Sequence, residues 1–255
     1  MIVLALDTTT RAGSVALVAD DRIVDERPGD ERRTHAERLP AELVAIANEH
    51  QIALAYVNLF AVAAGPGSFT GLRIGIATMQ GLAFTTDRRM VGVSALEALA
   101  QLASRDVPPG AHVAAWMDAH RRDVFAALYS VTDAPLFDPA RLIPIEPPTV
   151  GAPVSVLDRW RAIGLQGSIV FAGDGATLYS DTIGRGLATA RIVDMPMLAG
   201  AVGRLAVARA RRGETVDPAA IQPLYVRRPD AELDRERKGF TTKDTKDTKE
   251  KTNRT

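Results

Sequence analysis

Blocks of apolar and polar residues alternate along the first hundred positions, and the length and period of each block point to one element. Ile2 to Leu6 is an unbroken apolar run closed by the polar turn Asp7-Thr8-Thr9-Thr10. A short run bounded by turn residues predicts a buried strand. Ser14 to Ala19 predicts a second strand, Asp20-Asp21 a hairpin turn, and Ile23-Val24-Asp25-Glu26 a third strand. The period then becomes helical. Between Thr34 and Gln51, Ala36, Leu39, Leu43, Ile46 and Ala47 recur on one face. Thr34 and Glu37 stand at capping-box spacing. Pro40 lacks an N–H and crowds the preceding turn, so this helix either kinks there or begins near Leu39. Val57 to Ala64 is another apolar run, followed by a glycine-rich turn and a helix from Thr70 to Phe84. Met90 to Val93 reads as a short strand, and Ser94 caps a helix from Ala95 to Ser104.

Val107-Pro108-Pro109-Gly110 breaks this pattern and marks a domain boundary. His112 to Met117 and Val124 to Val131 predict a hairpin around Asp118 to Asp123. Proline-rich loops are expected over 135–153, and a strand at Ile169 to Ala172 runs into Gly173-Asp174-Gly175. Met197 to Arg212 predicts a long helix stopped by Gly213, and Ile221 to Val226 a last extended segment. The expected layout is a first lobe over 1–106, completed by the C-terminal region 197–227, with a second, smaller lobe over 107–196. From Leu233 large apolar residues nearly vanish and Lys-Asp-Thr repeats at 243–248, so 233–255 is expected to be a disordered charged tail.

The 255 residues are 46% hydrophobic but only 5% aromatic, so the core must be built from Ala, Val, Leu and Ile. Net charge is zero, which gives no overall field for nucleic acid. The tail 233–255 carries +3 and the body −3, so weak RNA contact is an alternative to a merely solvated tail. The absence of cysteine excludes disulfides, zinc thiolates and a cysteine nucleophile. The N-terminal run has no basic region before it and reads as a strand rather than a signal peptide. No run reaches the roughly 18 apolar residues of a membrane span. A soluble, cytoplasmic protein is expected, with no membrane partner.

The candidate chemistry centres on Gly65-Pro66-Gly67-Ser68-Phe69-Thr70-Gly71-Leu72-Arg73-Ile74-Gly75. Gly65 and Gly67 allow backbone angles closed to other residues, and Pro66 stiffens the turn. Ser68 or Thr70 can cap the next helix, whose free N–H groups can meet an anion. A ligand-free tight turn fits equally well. The helix after it carries Leu72, Ile74, Ile76, Met79, Leu82 and Phe84 on both faces, with Arg73 as its one charge. Such a helix is covered on more than one side. Gly71, Gly75 and Gly81 each weaken it by up to about 1 kcal/mol relative to Ala, as close approach of another backbone would explain. The cover is either a partner or the chain's own sheet and the Thr34–Gln51 helix.

Three strands with a hairpin, then helix, strand and helix, resemble one lobe of the actin, Hsp70 and sugar-kinase superfamily. Asp7-Thr8-Thr9-Thr10 with Gly13-Ser14-Val15-Ala16-Leu17 is similar to its acidic phosphate turn. This resemblance implies an α/β, ribonuclease-H-like fold of two lobes, with mixed sheets flanked by helices. It makes Asp7, Thr8, Gly65, Gly67 and Ser68 a possible vestigial nucleotide or phosphate site. Within that superfamily the chain resembles the TsaB family over about residues 1–230. The glycine segment followed by Gly81-Leu82-Ala83 carries the likeness, as do Thr34-His35-Ala36-Glu37-Arg38-Leu39-Pro40, Val93-Ser94-Ala95-Leu96 and Pro223-Leu224-Tyr225-Val226-Arg227.

The resemblance implies a partner of TsaD, the catalytic subunit that makes threonylcarbamoyladenosine in tRNA, with TsaE as third member. It implies a homodimer when TsaD is missing and only indirect contact with tRNA. ATP and a TsaD-bound metal belong to the assembled complex, and no cofactor is expected on this subunit. The family's docking surface is formed by the helices Thr34–Gln51 and Thr70–Phe84. That places the interface on Leu39, Leu43, Ile46, Gly71, Arg73, Ile74, Gly75, Thr78 and Leu82.

No catalytic or metal-binding residue is expected. TsaD ligates its metal through His-x-x-x-His on a helix after a short strand, and those positions fall here on Ala95 and Leu99. The four histidines, His35, His50, His112 and His120, are never closer than eight positions. Asp118, His120 and Asp123 suit a solvated hairpin tip. Asp7 either caps its own turn or meets a ligand. Gly173-Asp174-Gly175 is a simple turn or the trace of an adenosine loop, and His35 is read as a surface residue. The competing reading is an active ATP-dependent phosphotransferase of the sugar-kinase class, for which the chain is short. A metalloprotease lacks a ligand set.

Overall fold

The computed structural model describes residues 1–164 and 168–227. The expected tail at 233–255 lies outside them. In chain order the elements are β1 (Ile2–Asp7), β2 (Ser14–Ala19), β3 (Arg22–Pro28), α1 (His35–Glu49), β4 (Leu59–Gly65), α2 (Phe69–Thr85), β5 (Arg89–Ser94) and α3 (Ala95–Ala103). They continue with β6 (His112–Asp118), β7 (Val124–Val131), β8 (Leu142–Gly151), α4 (Pro153–Ala162), β9 (Ile169–Ala172), α5 (Asp174–Leu178), α6 (Ser180–Gly186), β10 (Arg191–Val193) and α7 (Ala199–Arg211).

The first sheet has the order β3-β2-β1-β4-β5 and the second β10-β9-β6-β7-β8. In each, three antiparallel strands come first and two parallel strands add on the other side of the founding strand. The same pattern therefore occurs twice, and the fold is the two-lobed actin/Hsp70-like, ribonuclease-H-like arrangement of mixed sheets flanked by helices.

Strand periodicity sorts the core of the first lobe into two layers. Leu4, Leu6, Val15 and Leu17 meet Leu39, Leu43 and Ile46 of α1 and Ile76, Met79 and Ala83 of α2. Val3, Ala5, Ala16 and Val18 point the other way, against Ala199, Val202, Leu205 and Ala206 of α7. The small residues on that face let α7 lie close, and a Cβ at Gly203 would stand 2.6 Å from Val18 Cγ2. The second lobe is built on aromatics: Trp116 packs edge-on to Phe171 with centroids 5.2 Å apart, and Trp160 closes the group.

Several expectations need correction. Helix α1 starts at His35, not near Leu39, because the Glu37 carboxylate accepts from the Thr34 N–H (2.8 Å) and hydroxyl (2.7 Å) and fixes the first turn. It runs on through Pro40, which is exposed, so the orphaned carbonyl can face water. Ala36 is exposed and His35 half-buried, the reverse of their expected places. Within the segment expected to be proline-rich loops lies β8, the edge strand of its sheet. Pro144, Pro147 and Pro148 are tolerated there because an edge leaves one side without a ladder. Ile221, expected in an extended segment, has extended backbone angles, and the Leu224 N–H donates to the Ala64 carbonyl at 2.7 Å. No helix among the described residues is long and apolar enough to cross a membrane.

Candidate functional site

The turn after β1 folds over the start of α2. Asp7 is buried, and its Oδ1 accepts from the Thr9 N–H (2.9 Å) and the Thr9 hydroxyl (2.6 Å). Burial pushes the Asp7 carboxyl above its ordinary value, the Thr9 bonds oppose this, and the Asp174 carboxylate adds to it. The Ser68 N–H donates to the Thr9 carbonyl (3.0 Å), and Ser68 Oγ accepts from the Gly71 N–H (3.2 Å), capping α2. The Gly65–Pro66 peptide is cis. Gly65 has φ +119°, and a Cβ there would stand 2.9 Å from the Leu224 carbonyl oxygen.

Gly67, Gly71 and Gly75 line a groove that this turn fills. A Cβ at Gly67 would overlap Thr9, at Gly71 the Thr8 carbonyl, and at Gly75 the Thr8 hydroxyl. The neighbours that need these glycines thus belong to the chain itself. Asp7, Thr8, Gly65, Gly67 and Ser68 do converge, but Asp7 Oδ1 is occupied by Thr9 and the helix N-terminus by Ser68. The Thr8 hydroxyl is buried with no hydrogen-bond partner.

In the second lobe, Gly173 at φ +113° leads from β9 into α5. Asp174 Oδ1 accepts from the Asp118 N–H (2.9 Å) and the Gly175 N–H (2.8 Å), tying this turn to the end of β6. His120 sits at the exposed hairpin tip with Nδ1 3.1 Å from Asp118 Oδ2. Among the described residues no three His, Asp or Glu side chains converge as metal ligands. Ala95 and Leu99 are fully buried in α3, and Leu99 packs beside Gly173. Those positions hold hydrocarbon and no ligand atom.

Sequence reasoning missed Glu26. Its Oε1 accepts from the Gly200 N–H at 2.7 Å, while Ser14 Oγ accepts from the Ala199 N–H at 3.0 Å. An internal carboxylate thereby occupies the positive end of α7. Burial pushes the Glu26 carboxyl up, and Asp7 adds to the shift. The only hint in the sequence was a carboxylate inside a predicted strand.

The outer side of α1 and α2 is a third feature. Leu39, Leu43 and Ile46, expected at an interface, are fully buried in the chain's own core, and Gly71 and Gly75 lie under Thr8. Arg73 is exposed, and Ile74, Thr78 and Leu82 are half-buried on the outer side. Thr78 turns its hydroxyl back to the Ile74 carbonyl (2.8 Å), which leaves its methyl outward. Ala77 and Gly81 are exposed, nothing lies within 4 Å of a Cβ at Gly81, and Phe84 is 81% exposed. Arg73 stacks over the Phe69 ring at 3.9 Å. The strip from Ile74 to Phe84 is apolar and small, with no charge.

The TsaD family, described as tRNA N6-adenosine threonylcarbamoyltransferase, matches residues 26–141. The tRNA threonylcarbamoyladenosine biosynthesis protein TsaB of Escherichia coli K12 is 40% identical over 129 residues, 51% of this chain and 55% of that one. The chain thus spans about half the length of the curated TsaB relatives it matches. YeaZ from Pseudomonas aeruginosa, a solved structure, is 31% identical with a TM-score of 0.68, covering 88% of this chain and 99% of that one. The chain belongs to the TsaB (YeaZ) family. An activator of 2-hydroxyisocaproyl-CoA dehydratase from Clostridium difficile, solved with ADPNP, shares the fold at a TM-score of 0.50 and 13% identity. The TsaD match runs from the end of β3 to β8's threshold and includes α1 and α2.

Proposed function

We propose that this TsaB-family chain is a non-catalytic subunit of the machinery that forms threonylcarbamoyladenosine in tRNA. It docks on TsaD through the outer face of α1 and α2, with TsaE as the third member. The observation that carries this reading is the uncharged strip Ile74–Phe84, lying in the segment that resembles TsaD itself. A partner with the same pair of helices can meet it about a pseudo-two-fold axis. The same face supports a homodimer when TsaD is missing. TsaD then supplies the metal and the chemistry, ATP belongs to the assembled complex, and tRNA is held through TsaD in the cytoplasm. Own-chain occupation of Asp7 Oδ1 and of the α7 N-terminus by Glu26 argues against the sugar-kinase alternative.

The test uses Gly81, where a side chain meets open space. Gly81→Trp is expected to fold, yet to lose co-purification with TsaD and self-association. Wild-type binding by the folded variant would put the docking surface elsewhere. ATP turnover by the isolated chain would favour the phosphotransferase.

A further inference from the structure

The Thr8–Gly13 turn is held by a cluster that the docking reading leaves without a role. Arg38, on α1, is 1% exposed, and its guanidinium lies where a Cβ of Gly29 would stand. It donates to the Ala12 carbonyl and to Glu42 Oε2 (2.5 Å), and its Nη2 lies 2.8 Å from His35 Nδ1. A guanidinium has donors only, so Nδ1 must offer its lone pair. The other ring nitrogen then carries the proton. The Arg38 contact thus fixes both tautomer and charge of one imidazole. An incoming proton can bind only at Nδ1, where the guanidinium already points.

We propose that His35 is an acid-sensitive latch on the Thr8–Gly13 turn, holding it when neutral and releasing it when protonated. The groups acting on the ring are Arg38, which opposes protonation, and the Thr10 backbone and Glu42, which favour it; Cε1 lies 3.5 Å from where a Gly13 Cβ would stand. Burial and Arg38 together hold His35 below its ordinary value. Protonation breaks the Arg38–His35 bond and sets two cations side by side. The guanidinium shifts, Ala12 loses its donor, and the Thr8-Thr9 plug in the glycine groove of α2 loosens. The latch stands whether or not α2 docks on TsaD.

The test is hydrogen exchange of the Thr9 and Gly13 amides in the full chain from about pH 7.5 to 5, with rates corrected for intrinsic exchange. Opening should increase as pH falls, by at most about tenfold per pH unit, the limit for one proton taken up on opening. His35→Asn keeps an acceptor near Nδ1 but removes the titrating ring, so the rise at the Gly13 amide should disappear. A flat wild-type profile, or the same rise in the variant, overturns the latch. NMR titration of the wild-type His35 ring decides independently of any variant's folding: a midpoint at or above about 6.5 refutes it.

Discussion

Gly75→Ala pits two opposing effects against each other, and the structure says which wins. In an exposed helix the substitution would add about 1 kcal/mol of stability through propensity. Here the new Cβ would overlap the Thr8 hydroxyl and stand 3.0 Å from Thr8 Cγ2 and 3.1 Å from Thr8 Cβ. Thr8 is fully buried in a turn held at both ends, so it cannot swing aside. Overpacking of this kind costs about 1–3 kcal/mol. The net expectation is a loss of about 1 kcal/mol, or about 2–4 °C in Tm for a chain of this size. Thr8→Ala removes a hydroxyl that has no partner, so it breaks no hydrogen bond and loses only one buried methyl group. In Thr8→Ala/Gly75→Ala the overlap shrinks to the Cβ–Cβ contact. A double-mutant cycle by urea unfolding should therefore give a favourable coupling of about 1–2 kcal/mol. Additive single changes, or a Gly75→Ala variant more stable than wild type, would refute the reasoning and return Gly75 to an open face.

Gly81→Ala should behave oppositely, raising Tm by about 2–4 °C through propensity alone, as differential scanning fluorimetry would read. Asp7→Asn tests the buried carboxylate. Because the folded pKa of Asp7 is raised, its contribution to stability falls as pH rises from the unfolded value through the folded one. The advantage of Asn over Asp should accordingly grow as pH rises above about 4 in urea titrations, and a constant or shrinking difference counts against it. Arg141→Ala should cost at least about 3 kcal/mol by thermal unfolding, since its buried guanidinium serves the carbonyls of Ser104, Val107, Thr132 and Ala134.

Most of the first lobe was legible because its buried strands are short apolar runs closed by turn residues and the helix after them keeps a 3.6-residue period. Edge strand β8 was not, since Pro144, Pro147 and Pro148 look like loop residues until the sheet's edge is known. At the candidate interface the sequence displays an apolar stripe but no direction for it. Leu39, Leu43 and Ile46 form one face, and only the sheet beneath shows that this face points inward. The need for Gly71 and Gly75 was readable, whereas the neighbour that imposes it, Thr8, lies more than sixty positions away. Arg38 was invisible for a different reason. An arginine between a glutamate and a leucine looks solvated, and its burial depends on Gly29 and Ala12 closing over it.

The first sheet and the helix that covers one of its faces lie far apart in the sequence, and this orders events at the ribosome. Val3, Ala5, Ala16 and Val18 are made long before the helix that covers them, α7. At roughly 5–20 residues per second, some 200 residues of synthesis keep that face uncovered for about 10–40 s. The nascent chain carries a naked β-surface throughout the synthesis of its second lobe. Trigger-type chaperones should bind it during that interval, and a chain stalled before Ala199 should aggregate where the finished one does not.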